Sequence, residues 1–194
     1  GPRAADPQHP VQADPPEHIV LEAFQFAKNA KIDIVLGFGG GSSLDVAKVI
    51  AILAHPEQQQ TLQDLYGVNN AKNPRLPLFL VPTTAGTGSE VTPISIVTTG
   101  ETTKTGIVSP VLFADVAILD ATFTQNLPAH ITAATGIDAM VHAIEAYTSK
   151  IKKNPYADML AKQALRLLNH NLSQVLADGQ NLAARQNMLV GSML

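Results

Sequence analysis

The chain has 194 residues, 45% hydrophobic and 15% charged, with a formal net charge of -3 at pH 7. That composition excludes a wholly disordered protein, allows one domain or a domain plus part of a second, and gives no electrostatic reason to bind nucleic acid or an anionic membrane. There is no cysteine. Disulfides, thiol catalysis and cysteine-held zinc are therefore excluded, and any metal must sit on nitrogen and oxygen donors, a composition in keeping with a cytoplasmic protein.

Residues 1–18 are polar and carry five prolines. They read as an irregular lead, and without an apolar stretch they are not a secretory signal. Pro15-Pro16 then opens a helix in which Val20, Ala23, Phe24 and Ala27 recur on one face. Ile32–Leu36 reads as a buried strand, followed by the turn GFGGGSS and an apolar helix over 44–54. A loop over 55–77 leads to the strand Leu78–Val81, so that strand, helix and strand imply a right-handed parallel crossover. After the loop PTTAGTGSE, residues 91–99 and 104–109 suggest a hairpin, and Val116–Leu119 a further buried strand. The longest apolar runs, Leu78–Val81 and Val116–Leu119, are far too short to span a bilayer. From Pro128 onward the pattern is helical throughout, over 128–148, 155–177 and 180–194. The expected organisation is an α/β nucleotide-binding domain over 19–127 followed by a helical domain over 128–194. Both look partial, because the sheet is thin and the final helix has no stop signal.

Three segments carry chemistry. In Gly37-Phe38-Gly39-Gly40-Gly41-Ser42-Ser43-Leu44-Asp45 the glycines sit between a strand and a helix, where the backbone can approach a phosphate and the helix N-terminus offers free N–H groups. The common dinucleotide fingerprint is not met, because its third glycine is replaced by Ser42 or Leu44, and no Gly-Lys-Ser/Thr follows. A plain turn with a serine cap and Asp45 complementing the helix dipole explains the turn as well. Pro82–Glu90 places hydroxyls and glycines at the end of a parallel strand, the edge at which open α/β sheets bind ligands; it also suits a solvated loop. Two such loops after neighbouring strands favour a nucleotide site. Finally, Asp138 and His142 lie four residues apart and share a helix face, as a pair of metal donors would. Spacing alone favours a structural reading. Thr135 can cap a helix with Asp138 at its third position, and His142 can be a satisfied core histidine.

The strings GFGGGSSLDVAK, PTTAGTGSEVT and AILDATFTQNLPAHITAATGIDAMVHAIEAYTS resemble, in that order and spacing, the iron-containing (group III) alcohol dehydrogenases. The resemblance covers roughly residues 11–194. It implies a Rossmann-like nucleotide-binding domain and an all-helical C-terminal domain, and an enzyme that interconverts primary alcohols and aldehydes with NAD or NADP and a divalent metal, iron(II) or else zinc. It implies that Gly40, Gly41 and Ser42, with Asp45 beside them, hold the pyrophosphate; that Thr83, Thr84 and Thr87 lie along the cofactor; that Lys104 is near its ribose; and that Asp138 and His142 are the first two of four metal ligands. The other two ligands and the first strand–helix unit are not present. The chain is therefore expected to be a fragment, inactive by itself, of a homo-oligomeric enzyme. A noncatalytic nucleotide-binding remnant and a polyol dehydrogenase of the same superfamily are the alternatives.

Overall fold

The computed structural model describes residues 14–100 and 103–194. The lead is thus outside the described residues up to residue 13, as are residues 101–102 between the two strands of the expected hairpin. Helix α1, Glu17–Ala30, starts after Pro16 and stops at Lys31, which takes a left-handed conformation with φ 49°. Strand β1 is Val35–Gly39, helix α2 Gly41–Leu53 and strand β3 Leu78–Pro82. Between them lie a short helix α3, Leu62–Leu65, and a short strand β2, Gly67–Val68. Strands β4, Ile94–Thr98, and β5, Lys104–Val108, pair as an antiparallel hairpin. Strand β6 is Val116–Ala117, and helices α4, α5 and α6 follow at Ala129–Thr148, Pro155–Ala177 and Leu182–Met193.

Among the described residues two three-stranded sheets result, ordered β1-β3-β6 and β2-β5-β4. Val35 N–H donates to the Pro77 carbonyl and Thr83 N–H to the Gly39 carbonyl, each at 2.9 Å, so β1 and β3 advance in the same direction. This is the parallel, helix-connected arrangement of an α/β fold.

The chain forms two compact units. The first comprises the described residues to Gly37, Ser42–Leu80 and Thr92–Val116; the second comprises Phe38–Gly41, Val81–Val91 and Ala117–Leu194. The core of the first gathers on α2, whose residues from Val46 to Leu53 are all buried, with Leu62, Leu78, Leu80, Val97 and Ile107 around it. A helix apolar on nearly every side is a buried helix. The core of the second is the α4–α5–α6 packing around Ala139, Ala143, Leu168, Leu172 and Met188.

Several expectations are corrected. The first strand begins at Val35, not Ile32, because its ladder starts where Pro77 supplies an acceptor. Its glycines belong to the strand: a Cβ on Gly37 would lie 2.6 Å from Leu80 Cδ2 and 2.7 Å from Ala47 Cβ, so helix and strand pack too closely for a side chain. Helix α2 starts at Gly41, which places Ser42 and Ser43 in its first turn rather than at the cap. The stretch 55–77 is not all loop. Thr61 and Asp64 make a reciprocal capping box for α3, and β2 pairs in parallel with β5, Gly67 opposite Ile107. The strands expected over 91–99 and 116–119 shorten to Ile94–Thr98 and Val116–Ala117, with a 3-10 turn at Ser89–Val91.

Candidate active site

The glycine turn and the small-residue loop meet within the second unit. A Cβ on Gly40 would stand 3.5 Å from Thr84 Cγ2 and Oγ1, and one on Gly41 2.7 Å from Thr87 Cγ2 and 2.8 Å from its Oγ1. Thr87 therefore occupies the space that a side chain on Gly41 would need, and Thr84 borders Gly40 at ordinary contact distance. Thr83 is tied to the same strand end through its backbone bond to Gly39. Thr87 Oγ1 accepts from Ser89 N–H at 3.2 Å, which closes the loop, and Gly88 turns it with φ 59°, a conformation that favours glycine. The turn ends at the first residue of α2, whose leading N–H groups have no partner within the helix. The backbone of Gly40 and Gly41 and the hydroxyls of Thr84 and Thr87 thus lie together within the second unit, groups of the kind that bond phosphate oxygens.

The same loop abuts α4. A Cβ on Gly86 would lie 2.8 Å from Thr135 Cβ and 3.0 Å from the Thr135 carbonyl oxygen. Thr135 is three residues before Asp138, so the loop lies against the turn of α4 that precedes the carboxylate. Thr135 and Asp138 lie well inside α4, which begins at Ala129 after Pro128, so the reading of Thr135 as a helix cap is corrected. Thr135 Oγ1 instead donates back to the Ile131 carbonyl at 2.9 Å. His142 is not a core histidine either. Its side chain is 51% exposed and that of Asp138 49%, with His142 Nε2 at 3.8 Å from Asp138 Oδ1. A carboxylate oxygen and an imidazole nitrogen, both open to solvent on one helix face, suit iron(II) or zinc as donors. Among the described residues no group of three or more metal-capable side chains comes together, and Asp138 and His142 stand as a pair.

In the first unit, Ser42 Oγ accepts from Asp14 N–H at 3.2 Å. Lys104 Nζ donates to Asp14 Oδ1 at 2.6 Å, with both side chains more than half exposed. Ser42 and Lys104 are therefore gathered around one residue. Asp45 is turned inward: its Oδ2 accepts from Ile96 N–H at 3.0 Å and its Oδ1 from Lys48 Nζ at 3.3 Å. Lys48 is completely buried and also donates to Thr92 Oγ1 at 3.2 Å and to the Ile94 carbonyl at 2.7 Å. Sequence reasoning passed over Lys48. The available signal was a single charged residue inside the otherwise apolar run Val46–Leu53, one turn after Asp45.

The comparisons with known proteins identify the family. The sequence model described as "Iron-containing alcohol dehydrogenase" matches residues 6–121, and the one described as "Fe-containing alcohol dehydrogenase family, C-terminal" matches residues 132–194. The chain belongs to the iron-containing alcohol dehydrogenase family. It is 44% identical over 185 residues to long-chain-alcohol dehydrogenase 1 of Geobacillus thermodenitrificans (strain NG80-2), covering 95% of this chain and 46% of that protein. Its fold superposes on a crystal structure of 1,3-propanediol oxidoreductase with a TM-score of 0.87 at 41% identity, over 94% of this chain and 47% of that one. It superposes on sulfoacetaldehyde reductase from Bifidobacterium kashiwanohense in complex with NAD+ with a TM-score of 0.85 at 34% identity, over 94% and 48%. The chain spans about half the length of the curated relatives it matches. No helix among the described residues is long and apolar enough to cross a membrane.

Proposed function

We propose that this chain contributes the nucleotide-binding residues and half of the metal site of a metal-dependent, NAD(P)-linked alcohol dehydrogenase that interconverts small alcohols and aldehydes. The observation that carries the reading is the loop of Thr83, Thr84 and Thr87, which lies against the glycine turn at Gly40 and Gly41 and, through Gly86, against α4 just before Asp138. Cofactor-type and metal-type residues are thereby joined within one compact unit. The nicotinamide supplies a hydride acceptor and the cation a Lewis acid that lowers the pKa of an alcohol.

The residues themselves have separable tasks. Gly40 and Gly41 keep the backbone free of side chains where a pyrophosphate approaches. Ser42 and the first N–H groups of α2 bond phosphate oxygens, and Asp45 fixes that helix by bonding Ile96. Thr83, Thr84 and Thr87 line the cofactor, and Lys104 faces its ribose. Asp138 and His142 hold the cation, iron(II) or zinc. Residues 19–127 constitute the nucleotide-binding domain and 128–194 the start of the helical one, a division supported by the two matched segments, 6–121 and 132–194. The enzyme is placed in the cytoplasm as a homo-oligomer, with no nucleic acid or membrane as partner.

The test is a fluorescence titration of the 194-residue chain with NADH, together with an assay of alcohol-dependent NADH formation. NADH binding without turnover is expected, since two donors make an incomplete metal site. No binding of NADH or NADPH refutes the nucleotide assignment, and strong metal-dependent turnover refutes the inactivity of the isolated chain. A noncatalytic nucleotide-binding module, the second reading, is favoured by the same shortage of metal donors. It stands if binding persists and added metal changes nothing.

A further inference from the structure

We infer that Lys48 is a positioning residue for dinucleotide binding, an inference that rests on the nucleotide reading of the glycine turn. Lys48 is wholly buried, and its Nζ reaches Asp45 Oδ1 at 3.3 Å within α2, Thr92 Oγ1 at 3.2 Å just before β4 and the Ile94 carbonyl at 2.7 Å in β4. Asp45 reaches the same strand through Ile96 N–H at 3.0 Å, and its own carbonyl accepts from Ser95 Oγ at 3.0 Å. Lys48 and Asp45 lie on one side of α2, three residues apart, so together they pin the first two turns of that helix to β4 along the run 92–96.

Those turns begin at Gly41 and Ser42, where the phosphates would bind. A backbone-donor site works only if its N–H groups already point at the anion, because reorienting them on binding costs affinity. Apolar packing alone locates a helix axis but leaves it free to slide or rotate by a fraction of an ångström. Directional bonds from a buried amine to a carbonyl and a hydroxyl remove that freedom. Burying such a group without its partners would be strongly unfavourable, so the arrangement holds only with α2 in one register on β4.

The experiment compares the wild-type chain with Lys48→Met, which keeps the stem and removes the amine, and Lys48→Arg, which keeps a donor. Hydrogen exchange at the Asp45 and Val46 amides reports the first turn of α2, and NADH fluorescence titration reports the site. Lys48→Met is expected to speed exchange at those amides and to weaken NADH binding by about tenfold, with Lys48→Arg recovering part of both. Should Lys48→Met fail to fold, Thr92→Val removes one anchor and is expected to shift both readouts in the same direction by a smaller factor. Unchanged exchange in the folded variants overturns the brace, whatever happens to NADH. Faster exchange with unchanged NADH affinity overturns the positioning role. Failure of the wild-type chain to bind NADH overturns the nucleotide reading and the positioning role with it, while the exchange data still decide the brace.

Discussion

His142 Nε2 stands 3.8 Å from Asp138 Oδ1 on the solvent-facing side of α4, with both side chains about half exposed. That separation is too long for a good hydrogen bond. Neither belongs to the buried face of α4, which is Thr132, Gly136, Ala139 and Ala143.

Removal of either donor is therefore expected to change metal affinity and not stability. Cobalt(II) or zinc(II) titrated calorimetrically into the chain should bind weakly, and Asp138→Ala should weaken it by about tenfold or more, since even the outer partners of metal ligands are worth that much. Its melting temperature should match wild type. Equal metal affinity in Asp138→Ala and wild type would remove Asp138 from the ligand set.

Gly40 and Gly41 are expected to separate stability from binding. Alanine at Gly41 meets Thr87 at 2.7 Å and should destabilise the chain by about 1–3 kcal/mol, as overpacking does. Alanine at Gly40 makes an ordinary contact at 3.5 Å and should leave thermal unfolding unaltered. Both should lose NADH affinity, Gly41→Ala because its methyl displaces Thr87 and Gly40→Ala because its methyl stands against Thr84, both in the loop proposed to line the cofactor. Full NADH binding by Gly40→Ala would move the phosphate site elsewhere.

Gly86 makes the corresponding contact with α4. Its Cβ position lies 3.0 Å from a backbone oxygen, that of Thr135, which cannot rotate aside as a side chain can. Gly86→Ala should cost about 1–3 kcal/mol in chemical denaturation and raise hydrogen exchange in the loop. A neutral substitution there would mean that the loop is not held against α4.

Acid sensitivity should centre on Asp115. Arg75 donates to its two carboxylate oxygens at 2.7 and 2.9 Å and Leu78 N–H donates at 2.8 Å, and these bonds lower its pKa from 3.8 to about 2. A carboxyl depressed on folding contributes stability above its unfolded pKa and loses it as the pH falls through its folded value. The loss is thus expected between about pH 4 and pH 2. The side chain of Asp115 is 46% exposed, so screening limits the contribution to about 1 kcal/mol. Asp115→Asn should lower the melting temperature at pH 6 and flatten its decline over that acid range. Parallel melting curves for the two proteins would count against the pair.

Helix α5 shows what was legible in the sequence alone. Its bounds, Pro155–Ala177, are those expected, because Asn154 caps it through Ala157 N–H at 2.8 Å and Pro155 presets its first turn. Such signals act within a few residues of the chain, as does the spacing that sets Asp138 and His142 on one face. The glycine turn and the threonine loop were likewise visible, because small residues at strand ends are local features.

Only the tertiary structure decided where β1 starts, that β2 exists, and what Asp45 and Lys48 do. Gly67 pairs with Ile107, Asp45 bonds Ile96, and Lys48 bonds Thr92 and Ile94, partners 40 to 51 residues apart. A helix closes its hydrogen bonds on its own sequence, whereas a strand or a buried amine must find partners that the chain brings up from far away. The spacing of residues along α2 marks Lys48 as out of place among apolar neighbours. It is tolerated there beside partners that include Asp45 on its own helix and, from far along the chain, Thr92 and Ile94.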